Sequence, residues 1–398
     1  MPWLESCALD QRLGFVSACL SGDWTMTEAC AAYGISRKTG YKWLERYRLE
    51  GALGLAARSC APHRHGRATD ASLADAILQV KAAHPSWGPR KVVARLRLDH
   101  PHLDWPAAST AGEILKRAGL VAPRHRRRRA PPTLGGLTTP ERPNHVWAVD
   151  HKGWTRLGDG RRCEPLTMTD SFSRYLLALS AGSSTREEEA RPWFEQAFSE
   201  FGLPQVIRSD NGPPFASTGV TGLTQLSVWW AKLGVRHERI TPGHPQQNGR
   251  HERFHLTLLE AMRPPPPNQA AQAERFAAFR QEYNHQRPHE ALKQLPPAAL
   301  YHPSSRKLPR SIPEPDYPPE AAVRQVRSNG EIKWRGDLIH ISSALAGEAV
   351  AIEETELGDW AVRFYDLPIG RIDQKTNRLR RLSVEAFNPS EVLPSYPV

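Results

Sequence analysis

The spacing of apolar positions changes character twice along the chain. Up to residue 121 they recur at helical intervals. From about 143 to 301 short apolar runs alternate with helical stretches, and beyond 317 short runs are cut by glycines. The first part predicts helices over residues 9–20, over a segment opened by Thr25 with Glu28 three positions on as a capping box, and from Ser36 to about Glu50, with Gly34 in the turn between the last two. Three more follow, over 71–83, 88–98 and from a Ser109 cap to Ala118. The middle part predicts strands over 146–149, 166–169, 175–180, 206–208 and 235–240, and helices over 185–201, 224–233, 250–262 and 269–283. Three strands followed by alternating helices and strands give a mixed sheet with helices packed on it. The last part, with Gly330, Gly336, Gly347, Gly358 and Gly370 at turn-like intervals, predicts a small β-barrel or sheet from 331–334, 349–353, 360–365 and 370–373.

Charge sharpens this division. Residues 1–135 carry 21 Lys and Arg against 11 Asp and Glu, a net of +10, whereas the whole 398-residue chain is +11. An excess confined to one third of the chain points to a polyanionic partner, most simply the DNA backbone. The helix–glycine turn–helix over 25–50 matches a helix-turn-helix, whose second helix enters the major groove. It leaves Arg37, Lys38, Thr39, Lys42 and Arg46 on or near the outer face. The helix near 88–98 is basic as well, with Arg90 and Lys91 at its start. Then comes a run that repels itself, Arg124, His125, Arg126, Arg127, Arg128 and Arg129, followed by Pro131 and Pro132. It reads as a linker able to lie along phosphates. The resulting divisions are 1–60 and 68–123 for two helical DNA-reading modules, 124–142 for the linker, 143–305 for the α/β core and 317–388 for the β-rich part. A hydrophobic content of 39% suits packed cores. Five scattered cysteines suit a reducing compartment, and no apolar run approaches the ~18 residues of a membrane span, so a cytoplasmic, nucleoid-associated protein without membrane contact is expected.

Three acids stand out by position. Asp150 ends the run Val146-Trp147-Ala148-Val149, Asp210 ends Val206-Ile207-Arg208-Ser209 ahead of Asn211-Gly212, and Glu252 opens a helix after His244-Pro245-Gln246-Gln247-Asn248-Gly249. Carboxylates at two strand ends and one helix start can converge on a sheet edge. Gathered there, their repulsion is relieved by hard divalent cations such as Mg²⁺ or Mn²⁺. Two such ions ~4 Å apart serve phosphodiester chemistry.

These stretches, as an ordered set, resemble the three acidic motifs of the retroviral-integrase-type core shared by integrases and bacterial insertion-sequence transposases. Residues 283–292, Tyr-Asn-His-Gln-Arg-Pro-His-Glu-Ala-Leu, resemble the segment that closes the core in the latter. The resemblance implies a ribonuclease H-like core with Asp150, Asp210 and Glu252 catalytic and holding two Mg²⁺ or Mn²⁺ ions. It also implies binding of an element's terminal inverted repeats, strand cleavage, and strand transfer into target DNA. A dimer or higher oligomer on double-stranded DNA is expected, because two ends must be processed together. Two features depart from the family pattern. Forty-one residues separate Asp210 from Glu252, and Leu259 stands seven residues after the Glu where relatives often carry Lys or Arg, which leaves Arg250 and Arg253 to meet the DNA backbone.

Another pattern overlaps the third acid. His251-Glu252-Arg253-Phe254-His255 matches the HExxH zinc-peptidase motif, with Glu274 as a third ligand on the next helix. The basic helical front and the proline run 264–267 count against a peptidase. A transposon-derived DNA-binding regulator would lack one of the acids, and none is missing.

Overall fold

The computed structural model describes residues 7–58, 68–121, 136–241, 244–355 and 358–381. The basic run Arg124, Arg126, Arg127, Arg128 and Arg129 lies outside the described residues, as does Cys60. The chain divides into two compact units, Met1–Asp70 and Ala71–Val398.

In the first unit, α1 (Ala8–Leu20), α2 (Met26–Ala32) and α3 (Arg37–Glu50) close on Phe15, Val16, Ala29, Cys30, Leu44 and Leu55. Thr25 caps α2 by accepting from the Glu28 amide while the Glu28 carboxylate accepts from the Thr25 amide. Ser36 caps α3. Gly34, between them, sits at φ +63°, a left-handed value that glycine adopts without a Cβ penalty.

The second unit opens with α4 (Ala71–Ala83), α5 (Pro89–Asp99) and α6 (Ala108–Arg117), packed around Ile77, Trp87, Val92, Val93, Leu96, Trp105 and Leu115. The expected Ser109 cap is not used: α6 starts one residue earlier, with Ala107 in the capping position and no side-chain bond. This small bundle does not stand alone. The Trp87 indole N–H donates to Glu282 Oε1 at 3.2 Å, and His84 Nδ1 lies 3.3 Å from the same oxygen.

Glu282 belongs to the α/β part, which runs β1 (Val146–His151), a short hairpin β2 (Thr155–Arg156) and β3 (Arg162–Cys163), β4 (Leu166–Asp170), β5 (Leu176–Leu179), α7 (Glu187–Phe201), β6 (Val206–Ser209), α8 (Gln225–Lys232), β7 (Arg236–Arg239), α9 (Gly249–Ala261) and α10 (Gln269–His285). The hairpin was not anticipated from the sequence. The sheet order is β5-β4-β1-β6-β7, antiparallel on the β4 side of β1 and parallel on the β6 side. One face buries Trp147, Val149 and Met168 against Phe194 and Phe198 of α7 and Trp230 of α8. On the other, Leu176 and Leu179 pack with Phe254 and Leu258 of α9 and Phe276 and Tyr283 of α10. The edge strand β5 is closed by side chains of α10. Asn284 accepts from the Leu176 amide at 2.8 Å and donates to its carbonyl at 3.0 Å, and Arg280 donates to that carbonyl at 3.1 Å.

The C-terminal part comprises β8 (Ala322–Gln325), β9 (Glu331–Trp334), β10 (Asp337–His340), β11 (Ala349–Glu354), β12 (Trp360–Phe364), β13 (Leu367–Asp373) and β14 (Arg378–Arg380). Five strands form a sheet in the order β14-β13-β12-β11-β8, with β9 and β10 as a separate hairpin. This sheet domain packs on Val228 of α8, and Lys232 of the same helix pairs with Glu348 at 2.7 Å. Among the described residues no helix is long and apolar enough to cross a membrane.

Gly40 of α3 gives a test of the packing in the first unit. A Cβ there would lie 2.6 Å from Cys30 Sγ and 2.8 Å from Phe15 Cζ, both in the buried cluster. Gly40→Ala is therefore expected to destabilise this unit by ~1–3 kcal/mol, despite the better helix propensity of alanine. Thermal unfolding of the full chain should show a transition shifted downward, while the integrity of the second unit, followed by its tryptophan-rich core, is unchanged.

Candidate functional site

Strand alternation decides where the first acid points. Trp147 and Val149 face the α7–α8 core, so Asp150 faces the opposite side, together with its cross-strand partner Thr167 and with Thr169 two residues further along β4. The second acid follows from the parallel pairing. Val146, Trp147 and Ala148 pair with Val206, Ile207 and Arg208. Continuing that register by two residues sets Asp210 beside Asp150, at the carboxyl ends of adjacent strands. The chain turns sharply after Asp210, whose Oδ1 accepts from the Gly212 amide at 3.1 Å. Burial, then the negative charge of Asp210, pushes Asp150 up to about 7, and the charge of Glu252 adds in the same direction. All three acids thus act on one locality.

Glu252 lies in the first turn of α9, where the helix dipole favours a carboxylate, and is exposed. The buried stripe of that helix is His251, Phe254, His255 and Leu258, spaced i, i+3, i+4, i+7. The two histidines of the HExxH pattern therefore face the sheet while the glutamate between them does not. His251 Nε2 lies 2.6 Å from Thr167 Oγ1 and His255 Nε2 lies 2.9 Å from it. Thr167 itself donates to the Asp150 carbonyl at 2.9 Å. The Thr169 hydroxyl meets His251 Nδ1 at 3.0 Å. Burial keeps both rings neutral, pushing His251 down to about 3 and His255 to about 2.

Among the described residues, the His, Cys, Asp and Glu side chains grouped closely enough to hold a metal ion are Asp150, His251 and His255, with ligand atoms within 4.8 Å of one another. Glu274, expected as the third ligand of a zinc-peptidase site, is exposed on α10. That helix turns Gln272, Phe276 and Phe279 inward instead, so Glu274 cannot reach the histidines. The carboxylates of Asp210 and Glu252 are not part of the tight group. Sequence reasoning missed Thr167, Thr169 and the facing of the histidines. The β1–β4 register was the signal that could have found them. His151 points to the other side, its ring 5.7 Å from that of Phe215 and both its nitrogens buried without a partner.

The basic positions divide. Arg37, Lys38 and Lys42 are exposed on α3, while Thr39 bonds the Ser36 hydroxyl at 2.9 Å, and Arg46 joins Arg12 in stacking on Trp43. Arg90 pairs with Glu290 at 2.9 Å. Lys91 is half-buried and pushed down to about 8, first by burial and then by the positive charges of Arg287 and Arg253. Arg250 donates to the Ser171 carbonyl at 3.2 Å, and Arg253 is exposed.

Known proteins fit this arrangement. Residues 140–245 and 233–297 match models of the integrase core domain. Residues 8–81 match the leucine-zipper of insertion element IS481, and residues 321–380 the C-terminal domain of the IS481 family transposases. A 31.7 kDa uncharacterized protein of insertion element IS407 from Burkholderia multivorans is 30% identical over 206 residues, which span 50% of this chain and 72% of that protein. The chain belongs to the insertion-sequence transposases with an integrase core. A 39.2 kDa uncharacterized protein of insertion element IS476 from Xanthomonas euvesicatoria is 27% identical over 232 residues, 57% of this transposase and 64% of that protein. The integrase catalytic core domain of HTLV-2, solved in complex with magnesium, aligns at 19% identity with a TM-score of 0.30, covering 40% of the transposase and 98% of that domain. The mixed sheet flanked by α7–α10 makes up the residues that match the integrase core domain.

The hydroxyl of Thr167 is shared by three neighbours, which makes its removal costly. Thr167→Val keeps the shape but leaves two buried imidazole nitrogens and the Asp150 carbonyl short of a partner. It is expected to lower stability by ~1–3 kcal/mol. Thr167→Ser, which keeps the oxygen, should lose less. Urea unfolding of the two variants beside the parent measures the difference.

Proposed function

We propose that this transposase binds the terminal inverted repeats of its element and carries out metal-dependent strand cleavage and strand transfer into target DNA, with Asp150, Asp210 and Glu252 holding Mg²⁺ or Mn²⁺. What supports this reading is the β1–β6 register, Ala148 against Arg208, whose continuation by two residues leads to Asp150 and Asp210, together with the charges of Asp210 and Glu252 that both act on Asp150. The donor set suits a hard divalent cation: the oxygens are carboxylate, and the crowding that raises Asp150 is relieved by positive charge. Two ions bound there would activate an attacking oxygen and stabilise the leaving one. The chain's own part is positional. The paired strands fix the two aspartates rigidly, and the first turn of α9 offers Glu252 from the open side.

DNA contact is assigned to the exposed face of α3 through Arg37, Lys38 and Lys42, with Thr39 and Arg46 at its margin, as a helix-turn-helix. Arg90 and Lys91 of α5, Arg250 and Arg253 of α9, and the run Arg124 and Arg126 to Arg129 complete the basic set. Lys91, Arg253 and Arg287 act on one another across α5, α9 and the end of α10, and phosphate oxygens would neutralise them. A dimer or higher oligomer would bring one set of acids to each element end. The peptidase reading is disfavoured by Glu274, which is exposed on α10 and is not among the grouped ligand atoms.

Asp210→Asn removes a charge without changing size. With a duplex carrying the element end and Mg²⁺, strand cleavage is expected to fall by ~100-fold or more, about 2.7 kcal/mol in the barrier. Duplex binding in a gel-shift assay should be unchanged. Equal cleavage by variant and parent would overturn the assignment.

A further inference from the structure

We infer that Nδ1 of His255 is a nitrogen ligand to the divalent ion held at Asp150, and that Thr167 and His251 fix the tautomer that presents it. The inference rests on the metal reading above and adds a donor to it.

The protons available at Thr167 and the two histidines fix the tautomers. Thr167 has one hydroxyl proton, and it goes to the Asp150 carbonyl, 2.9 Å away. The imidazole nitrogens at 2.6 Å and 2.9 Å must then donate to the Thr167 oxygen, so His251 and His255 both carry their proton on Nε2. His251 accepts at Nδ1 from the Thr169 hydroxyl, which completes that ring. His255 is left with a bare Nδ1 lone pair, and 3.8 Å in front of it stands Oδ2 of Asp150. That separation is too long for a hydrogen bond. A bare lone pair this close to a carboxylate oxygen is unfavourable unless a cation lies between them. Two ligand atoms ~2.1 Å from one ion are ~3.0 Å apart at a right angle and ~3.8 Å apart at about 130°. The right angle is the octahedral one, so a shared Mn²⁺ or Mg²⁺ would draw the two atoms ~0.8 Å closer together.

The arrangement also follows the usual form of a metal-bound histidine, in which the other ring nitrogen is held by a fixed oxygen partner. Here Thr167 holds His255 at Nε2, and it spans to the backbone of Asp150 itself. One hydroxyl thus holds the His255 ring and the backbone of Asp150 together. A nitrogen donor favours Mn²⁺ over Mg²⁺, because imidazole suits transition ions and the all-oxygen set does not discriminate as strongly.

The test is pulsed electron paramagnetic resonance of Mn²⁺ added to the full-length chain, where a directly bound imidazole gives ¹⁴N modulation. The parent chain should show it. His255→Gln should abolish it and weaken Mn²⁺ binding roughly 10-fold, with a smaller loss for Mg²⁺ by calorimetry. His151→Gln, which alters the imidazole next to Asp150 in sequence but on the opposite face of β1, should keep the modulation, as should Thr167→Ser. A thermal melt of each variant reports folding independently. If Mn²⁺ binds the parent and the Asp150→Asn chain loses it, yet no ¹⁴N modulation appears or it survives in folded His255→Gln, the His255 inference falls while the metal site stands. If Asp150→Asn binds Mn²⁺ as the parent does, the metal reading itself falls.

Discussion

Strand β1 is the constraint on which the rest of this transposase depends, because it is paired differently on its two sides. Its antiparallel partner β4 brings Thr167 opposite Asp150, and its parallel partner β6 brings Asp210 alongside. A one-residue slip on either side would turn Asp150 into the α7–α8 core or part it from Asp210. The apolar positions Trp147 and Val149, both fully buried, hold the register against such a slip. The position of Asp150 is thus set by hydrophobic packing on the opposite face of the strand.

Much of this was legible in the residues. Short apolar runs ended by Asp150 and Asp210 marked strands with acids at their ends, and the capping pairs at Thr25 and Ser36 marked helix starts, because these signals are local. What depends on partners distant in sequence was not legible. The HExxH pattern suggested Glu274 as a companion to the two histidines, yet α10 turns that residue to solvent and Asp150, about a hundred positions upstream, takes its place. The hairpin of β2 and β3 escaped notice because two-residue strands carry no periodicity. Ser109 was read as a cap, but the backbone of α6 begins before it.

The helical bundle of α4–α6 shows the same limit. Trp87 stands just before the basic helix expected near 88–98. In the structure it is buried and donates to Glu282, and the same carboxylate also meets His84. The bundle is therefore anchored to the α/β core by a buried indole and a carboxylate, and Lys91 is turned toward Arg253 and Arg287 of that core. A group of basic residues drawn from three separate stretches of sequence could not be seen by scanning any one of them.

The side chains that α10 lays along β5 have a consequence for assembly. An edge strand ordinarily offers its unpaired amides and carbonyls to any extended chain that approaches. At Leu176 both groups are already engaged, the amide by Asn284 and the carbonyl by Asn284 and Arg280. The amide side chain imitates the next strand of the sheet, so the ladder ends there by internal satisfaction. A further strand approaching this border at Leu176 would have to displace the bonds that Asn284 and Arg280 already make there.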